Sequence, residues 1–149
     1  MFDIKVTVSR APFVEGALPF PFEKIARAVL GENYELSLVV CGDALARRMN
    51  KTYRLPALTR LRATRGQELR RASKKTYAPN VLSFPITKYA GEIFLNIRSA
   101  EREAELYHTS LRARLALLYI HGLFHLKGLD HGKKMERLEH ATLKRFKLA

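Results

Sequence analysis

Three histidines carry the clearest chemical signal in this chain. They lie in the run His121-Gly-Leu-Phe-His125-Leu-Lys-Gly128-Leu-Asp-His131. Residues four apart on a helix differ in direction by about 40°, so His121 and His125 project from one face, one turn apart. Two imidazoles so placed can bind one zinc ion as neighbouring tetrahedral ligands. Gly128 stops the helix, and the chain can then turn back to bring His131 to a third ligand position. Three neutral nitrogen ligands leave the fourth position for water, the pattern of a catalytic site rather than a closed structural one. With five histidines in 149 residues, this spacing arises by chance about 0.005 times per chain, so we expect a metal site holding one zinc per chain. His108 and His140 have no partner at ligand spacing.

What the metal would do turns on the residue after the first histidine. In the protease pattern H-E-x-x-H-x-x-G-x-x-H a glutamate at that position acts as general base. Here the position is Gly122, and peptide hydrolysis by that route lacks its base. Phosphodiester cleavage asks for a less specific supply: a Lewis acid on the phosphoryl oxygen, an activated nucleophile and cations to neutralise developing charge. Asp130, next to His131, could orient an imidazole, act as a base, or cap the helix that follows. Ser83 has no partner base in sequence and reads as structural, Glu92 reads as exposed, and Cys41 in an apolar strand reads as core.

The cations are present and clustered. The chain carries 27 Lys and Arg against 14 Asp and Glu, a formal +13. Eleven of the bases and one acid, Glu68, fall between Arg47 and Lys75, so that stretch of 29 residues carries +10. Such local clustering is the electrostatic footprint of a polyanion partner, and each base that meets a phosphate releases counterions. A solvated basic loop is the alternative. An anionic membrane fits less well, because no sustained apolar stripe with Trp or Phe anchors accompanies the charge. Arg60, Arg62, Arg65, Arg70, Arg71, Lys74 and Lys75 are the candidate RNA-binding residues.

The elements that must position these groups can be read from periodicity. Phe2, Ile4, Val6 and Val8 alternate with polar residues as in a half-buried strand. Pro19 and Pro21 introduce a helical stripe, Phe22 to Leu30, stopped by Gly31. Glu35–Cys41 is a second strand, and Asp43 can N-cap a helix reaching about Tyr53. From Leu55 to Pro79 the pattern fails, leaving a basic loop with one helical turn around Gly66 to Ala72. Val81 to Phe84, closed by Pro85, and Glu92 to Leu95 are two short strands joined by a turn. Ser99 caps a charged helix, Ser110 caps the histidine helix, and a last amphipathic helix carries Met135, Leu138, Thr142 and Phe146. Strands crowd the first two-thirds and helices the last third, so the class is α+β.

Length and composition bound the rest. One domain with a core fits 149 residues; two ordinary domains do not. Hydrophobic residues at 47% and charged residues at 28% are those of a globular protein. The apolar run from Leu115 to Leu126 is broken by two histidines and cannot span a bilayer. The alternating N-terminal residues do not read as a secretion leader, and a single cysteine excludes an internal disulfide or a multi-thiolate zinc site. A reducing, cytoplasmic setting fits these features.

At the histidine block the sequence resembles the YbeY family, bacterial endoribonucleases also described as rRNA maturation factors. The block is similar to the family's H-G-x-L-H-L-x-G-Y-D-H, and Asn80-Val-Leu-Ser-Phe-Pro85 is similar to [ND]-V-L-S-F-P. Weaker support comes from Gly91-Glu-Ile, Asn50-Lys-Thr-Tyr-Arg54 and Met135-Glu-Arg-Leu-Glu139, which resemble G-D-[IL], N-x-x-Y-R and M-x-x-x-E in family order. The resemblance implies zinc ligation by His121, His125 and His131, and a functional arginine, Arg54, near the cleft. It implies a small α+β domain with a mixed four-stranded sheet and a central helix bearing the first two histidines, a zincin-like arrangement. It also implies metal-dependent cleavage of single-stranded RNA, in small-subunit (16S) rRNA maturation and ribosome quality control, with the small subunit or its proteins as partners. This chain departs from the family at Leu129, where tyrosine is usual, and at Phe124, where leucine is common. It also has a longer link between Arg54 and Asn80, so that about 55–73 reads as a basic insertion and Arg70 or Arg71 could occupy the place of Arg54.

The expectation is therefore one α+β domain over residues 1–149, a zinc-dependent endoribonuclease with Arg54 and Asp130 as candidate catalytic groups. Two rivals stand beside it. One is a non-catalytic rRNA- or ribosome-binding assembly factor with a structural metal. The other, less favoured for want of a carboxylate at Gly122, is a metallopeptidase.

Overall fold

The structure, a computed structural model, describes residues 20–54 and 77–148 together with the backbone of 3–8. It is an α+β fold. The strands are β1 (Asp3–Val8), β2 (Glu35–Cys41), β3 (Val81–Thr87) and β4 (Ala90–Asn96). The helices are α1 (Phe22–Leu30), α2 (Asp43–Met49), α3 (Ile97–Leu106), α4 (Leu111–Leu126) and α5 (Lys133–Arg145), and a π-helical turn, Asn50–Arg54, continues α2. The sheet has the order β1-β2-β4-β3. β1 and β4 lie parallel to β2, and β3 lies antiparallel to β4.

Alternation along β2 explains why the sheet is covered on both sides. Leu36, Leu38 and Val40 join a large core with α1 and α4, including Ile25, Val29, Tyr119, Ile120 and Leu123. Val39 and Cys41 point the other way, into a smaller cluster with Ala46, Leu82 and Phe94, flanked by Met49 and Phe84. Burial pushes the Cys41 thiol up to about 12, with the Asp43 charge adding to the shift, so this cysteine is inert core as expected.

α4 is the central element, buried from Leu115 to Leu126 on most of its circumference. Two glycines let it lie close to the sheet. A Cβ at Gly122 would stand 3.0 Å from Ser83 Oγ, 3.1 Å from Val81 Cγ2 and 3.2 Å from Ile93 Cδ1. A Cβ at Gly91 on β4 would press on the Tyr34 hydroxyl and come within 2.8 Å of Leu126 Cδ2. Ser83 Oγ donates to the Gly122 carbonyl at 2.9 Å, which ties β3 to α4 one residue from His121.

Several local expectations are corrected. Pro85 does not close its strand: β3 runs on to Thr87, with a register irregularity between Pro85 and Thr87. β3 pairs with β4 alone at one side of the four-strand order, so a residue without an N–H is tolerated there. The cap of α3 is Asn96 rather than Ser99; its side chain accepts from the backbone N–H groups of Arg98 and Ser99. Asp43 is the first residue of α2 and Gly42 its N-cap. Freed from capping, the Asp43 carboxylate accepts from Asn96 Nδ2 at 2.9 Å and pairs with both Arg102 nitrogens at 2.8 and 2.9 Å. Ser110 caps α4 as its sequence predicts, accepting from the Ala113 N–H at 3.0 Å.

Candidate metal centre

His121 and His125 project side by side from the last turns of α4. After Lys127 the helix ends, and Gly128 takes a φ of +100°, the left-handed region that a glycine enters without strain. The chain reverses there and brings His131 back. Ring centroids are 4.5 Å apart for His121 and His125, 4.6 Å for His125 and His131, and 4.9 Å for His121 and His131. One ligand nitrogen from each ring lies within 4.8 Å of the others. The spacing predicts this convergence, and the structure brings all three together.

The hydrogen bonds settle the tautomers. His121 Nδ1 lies 2.8 Å from Glu139 Oε1, and His125 Nδ1 lies 3.0 Å from the Leu129 carbonyl oxygen. Carboxylate and carbonyl only accept, so both Nδ1 atoms donate. In the neutral rings both Nε2 atoms then carry lone pairs, yet they face each other at 2.9 Å. Two lone pairs that close repel unless a cation lies against both. Zinc bonds of 2.0–2.1 Å in a tetrahedron hold ligand nitrogens about 3.3 Å apart, a few tenths of an ångström from the separation seen. The donor set and its geometry fit a zinc ion.

His125 is held neutral. Burial is the main cause, followed by the neighbouring His121 and His131 and, last, the positive charge of Arg54; the Leu129 carbonyl opposes them, and the ring ends at about 4. It needs no deprotonation at neutral pH to serve as a ligand. The same balance of charges shows that the half-buried Arg54, at the end of the π-helical turn, makes its charge felt at the histidines.

Glu139 stands out in the sequence only as part of a weak motif. It is 8% exposed on α5, among Met135 and Leu143 on the buried face. A carboxylate on the apolar face of an amphipathic helix signals a specific partner, and here that partner is a ligand histidine. Asp130 is exposed in the loop between the helices, and the N-cap of α5 is Gly132, so Asp130 does not cap that helix. Leu129 serves the site through its carbonyl, while its half-buried side chain packs on the core. Phe124 is core, as expected, and Glu92 is half-buried rather than exposed.

Gly122 acquires a physical meaning. Its missing Cβ points at Ser83, Val81 and Ile93, so a glutamate there would be driven into the sheet. The protease-like base position is occupied by a strand. Arg60, Arg62, Arg65, Arg70, Arg71, Lys74 and Lys75, with the expected basic insertion at 55–73 and its helical turn, lie outside the described residues. Among the described residues, no helix is long and apolar enough to cross a membrane.

Comparison with known proteins points the same way. The family described as "Endoribonuclease YbeY" matches residues 62–147. A protein of that name from Aromatoleum aromaticum is 31% identical over 98% of this chain and 87% of its own length. One from Aquifex aeolicus is 31% identical, covering 85% of this chain and 80% of its own. The solution structure of TM1509 from Thermotoga maritima is similar with a TM-score of 0.61 over 97% of this chain and 89% of that one. At 16% identity that likeness speaks for the fold alone.

Proposed function

The chain belongs to the YbeY endoribonuclease family, and on that premise we propose that it cleaves single-stranded RNA using zinc held by His121, His125 and His131. The observation that carries this reading is the pair of Nε2 lone pairs facing at 2.9 Å with both Nδ1 atoms engaged. When bound there, zinc supplies Lewis acidity toward a phosphoryl oxygen and a nucleophile at neutral pH.

The chain's own groups do the positioning. Glu139 and the Leu129 carbonyl fix the orientation of two rings, so that little reorganisation accompanies binding. Arg54 places a permanent positive charge toward the site, suited to a phosphate whose charge grows in the transition state. Asp130, adjacent to His131 and no cap, is our candidate for taking the proton from the attacking group. The bases between residues 55 and 75 grip the RNA backbone and supply most of the non-specific affinity. We assign the fold to a zincin-like class and the activity to small-subunit (16S) rRNA maturation and quality control in the cytoplasm. The small subunit or its proteins are the partners, a setting supported by the family resemblance and by the reduced, buried Cys41.

The test is cleavage of a single-stranded RNA by nuclease-free protein with chelator, with zinc restored, and with His121→Ala. Cleavage that needs zinc and His121 supports the proposal. Tight RNA binding with no cutting would favour an assembly factor carrying a structural metal, and peptide cleavage would favour a metallopeptidase.

A further inference from the structure

The histidine site and Arg54 can engage metal and phosphate, but an RNA chain also carries bases that must go somewhere. Tyr53, immediately before Arg54, is 57% exposed. Its ring is nonetheless anchored. It meets Phe84 edge-on with centroids 6.1 Å apart at 67°, and Phe84 meets Phe94 at 5.8 Å and 77°. Phe94 is only 7% exposed, so a row of aromatics runs from the smaller core out to Tyr53. The row stands beside the metal centre through two connections. Arg54 makes its charge felt at His125, and Ser83, the neighbour of Phe84, donates to the Gly122 carbonyl next to His121. The other well-exposed tyrosines differ: Tyr107 already carries the Arg114 guanidinium at 4.8 Å, and Tyr89 the Lys88 ammonium at 5.5 Å.

We propose that Tyr53 is a stacking platform for an unpaired RNA base, with Arg54 on the adjoining phosphate. This rests on the endoribonuclease reading above. An aromatic ring held rigid from behind loses little freedom when a base stacks on it, and every base offers a π-face, so the contact selects single strands without selecting sequence. It also sets the strand's position relative to the histidines.

The experiment uses the zinc-loaded full chain and a 12-nucleotide oligoadenylate, with RNA integrity checked on gels. Tyr53→Leu should weaken binding about tenfold or more, with a matching rise in KM and little change in kcat. Tyr53→Phe should stay within about twofold of wild type. The log–log salt slope should not move in either variant, because stacking releases no counterions. The chain has no tryptophan, so Tyr53→Trp supplies a single reporter whose emission should be quenched when the oligonucleotide binds. Thermal midpoints close to wild type would show that the fold is kept, and should Tyr53→Leu lose stability, the Phe and Trp variants still decide. Unchanged affinity in Tyr53→Leu, an equal loss in Tyr53→Phe, or an unquenched tryptophan would overturn the platform while leaving the nuclease intact. A wild-type chain that neither binds nor cuts RNA would instead overturn the function on which it rests.

Discussion

Glu139 reaches across from α5 to hold His121 by its Nδ1 at 2.8 Å, joining the two helices that flank the loop carrying His131. The carboxylate fixes the tautomer in which Nε2 faces the metal position and raises the basicity of the ring. Glu139→Ala should therefore weaken zinc affinity by about 10- to 100-fold, and Glu139→Gln, whose amide oxygen can still accept, by less. Competition with a chromogenic chelator measures this. Wild-type affinity in the alanine variant would mean that packing alone orients His121.

Gly122→Glu should not create a peptidase; it should unfold the protein. The new side chain would enter the contact among Ser83, Val81 and Ile93 and bury a charge without a partner. A loss of several kcal/mol is expected, against a gain of about 1 kcal/mol in helix propensity. Urea unfolding decides, and a stable, folded Gly122→Glu chain would contradict the close approach of α4 to β3.

Acid resistance should depend on Asp43. The Arg102 hydrogen bonds hold its carboxyl at about 2, with Asn96 assisting and burial opposing. A depressed carboxylate stabilises the fold above its unfolded value of about 3.9, and that contribution disappears as pH falls toward about 2. Because Arg102 is 58% exposed, the pair is worth about 1 kcal/mol at most. In metal-free protein, Asp43→Asn should be less stable than wild type at pH 5 and above, with the gap closing between pH 4 and 2. A gap that does not change with pH would sink this assignment.

Replacing Arg60, Arg62, Arg65, Arg70 and Arg71 by alanine should weaken RNA binding similarly for unrelated sequences. The log–log salt slope should become shallower by about 0.7 for each single-strand phosphate that an arginine no longer neutralises. Zinc content should stay the same, since no ligand lies there. An unchanged slope would show that the segment is solvated rather than a grip on RNA.

The parts of this site that follow from local periodicity can be read directly from the chain. The helical i, i+4 spacing of His121 and His125 and the Gly128 stop suffice to bring three rings together. Glu139 is harder to see, because a charged residue on an amphipathic helix normally faces water; only the packing of α5 against α4 turns it inward. The same holds for Gly122, whose absent carboxylate is visible in sequence but whose steric cause, strand β3, is not. Asn96 and Ser99 are both plausible caps three residues apart, and the choice falls to Asn96. Its side chain also donates to Asp43 and the Pro79 carbonyl, bonds that depend on the tertiary fold. Pro85 reads as a strand end until the sheet order leaves its side of β3 unpaired by another of the four strands.

The most direct test of the account is RNA cleavage titrated against bound zinc. Metal-free protein should be inactive, activity should rise in proportion to zinc and level off at one ion per chain by elemental analysis, and His125→Ala should lose most of both. Full cleavage by metal-free protein, or near-stoichiometric zinc and activity in His125→Ala, would contradict the three-histidine centre.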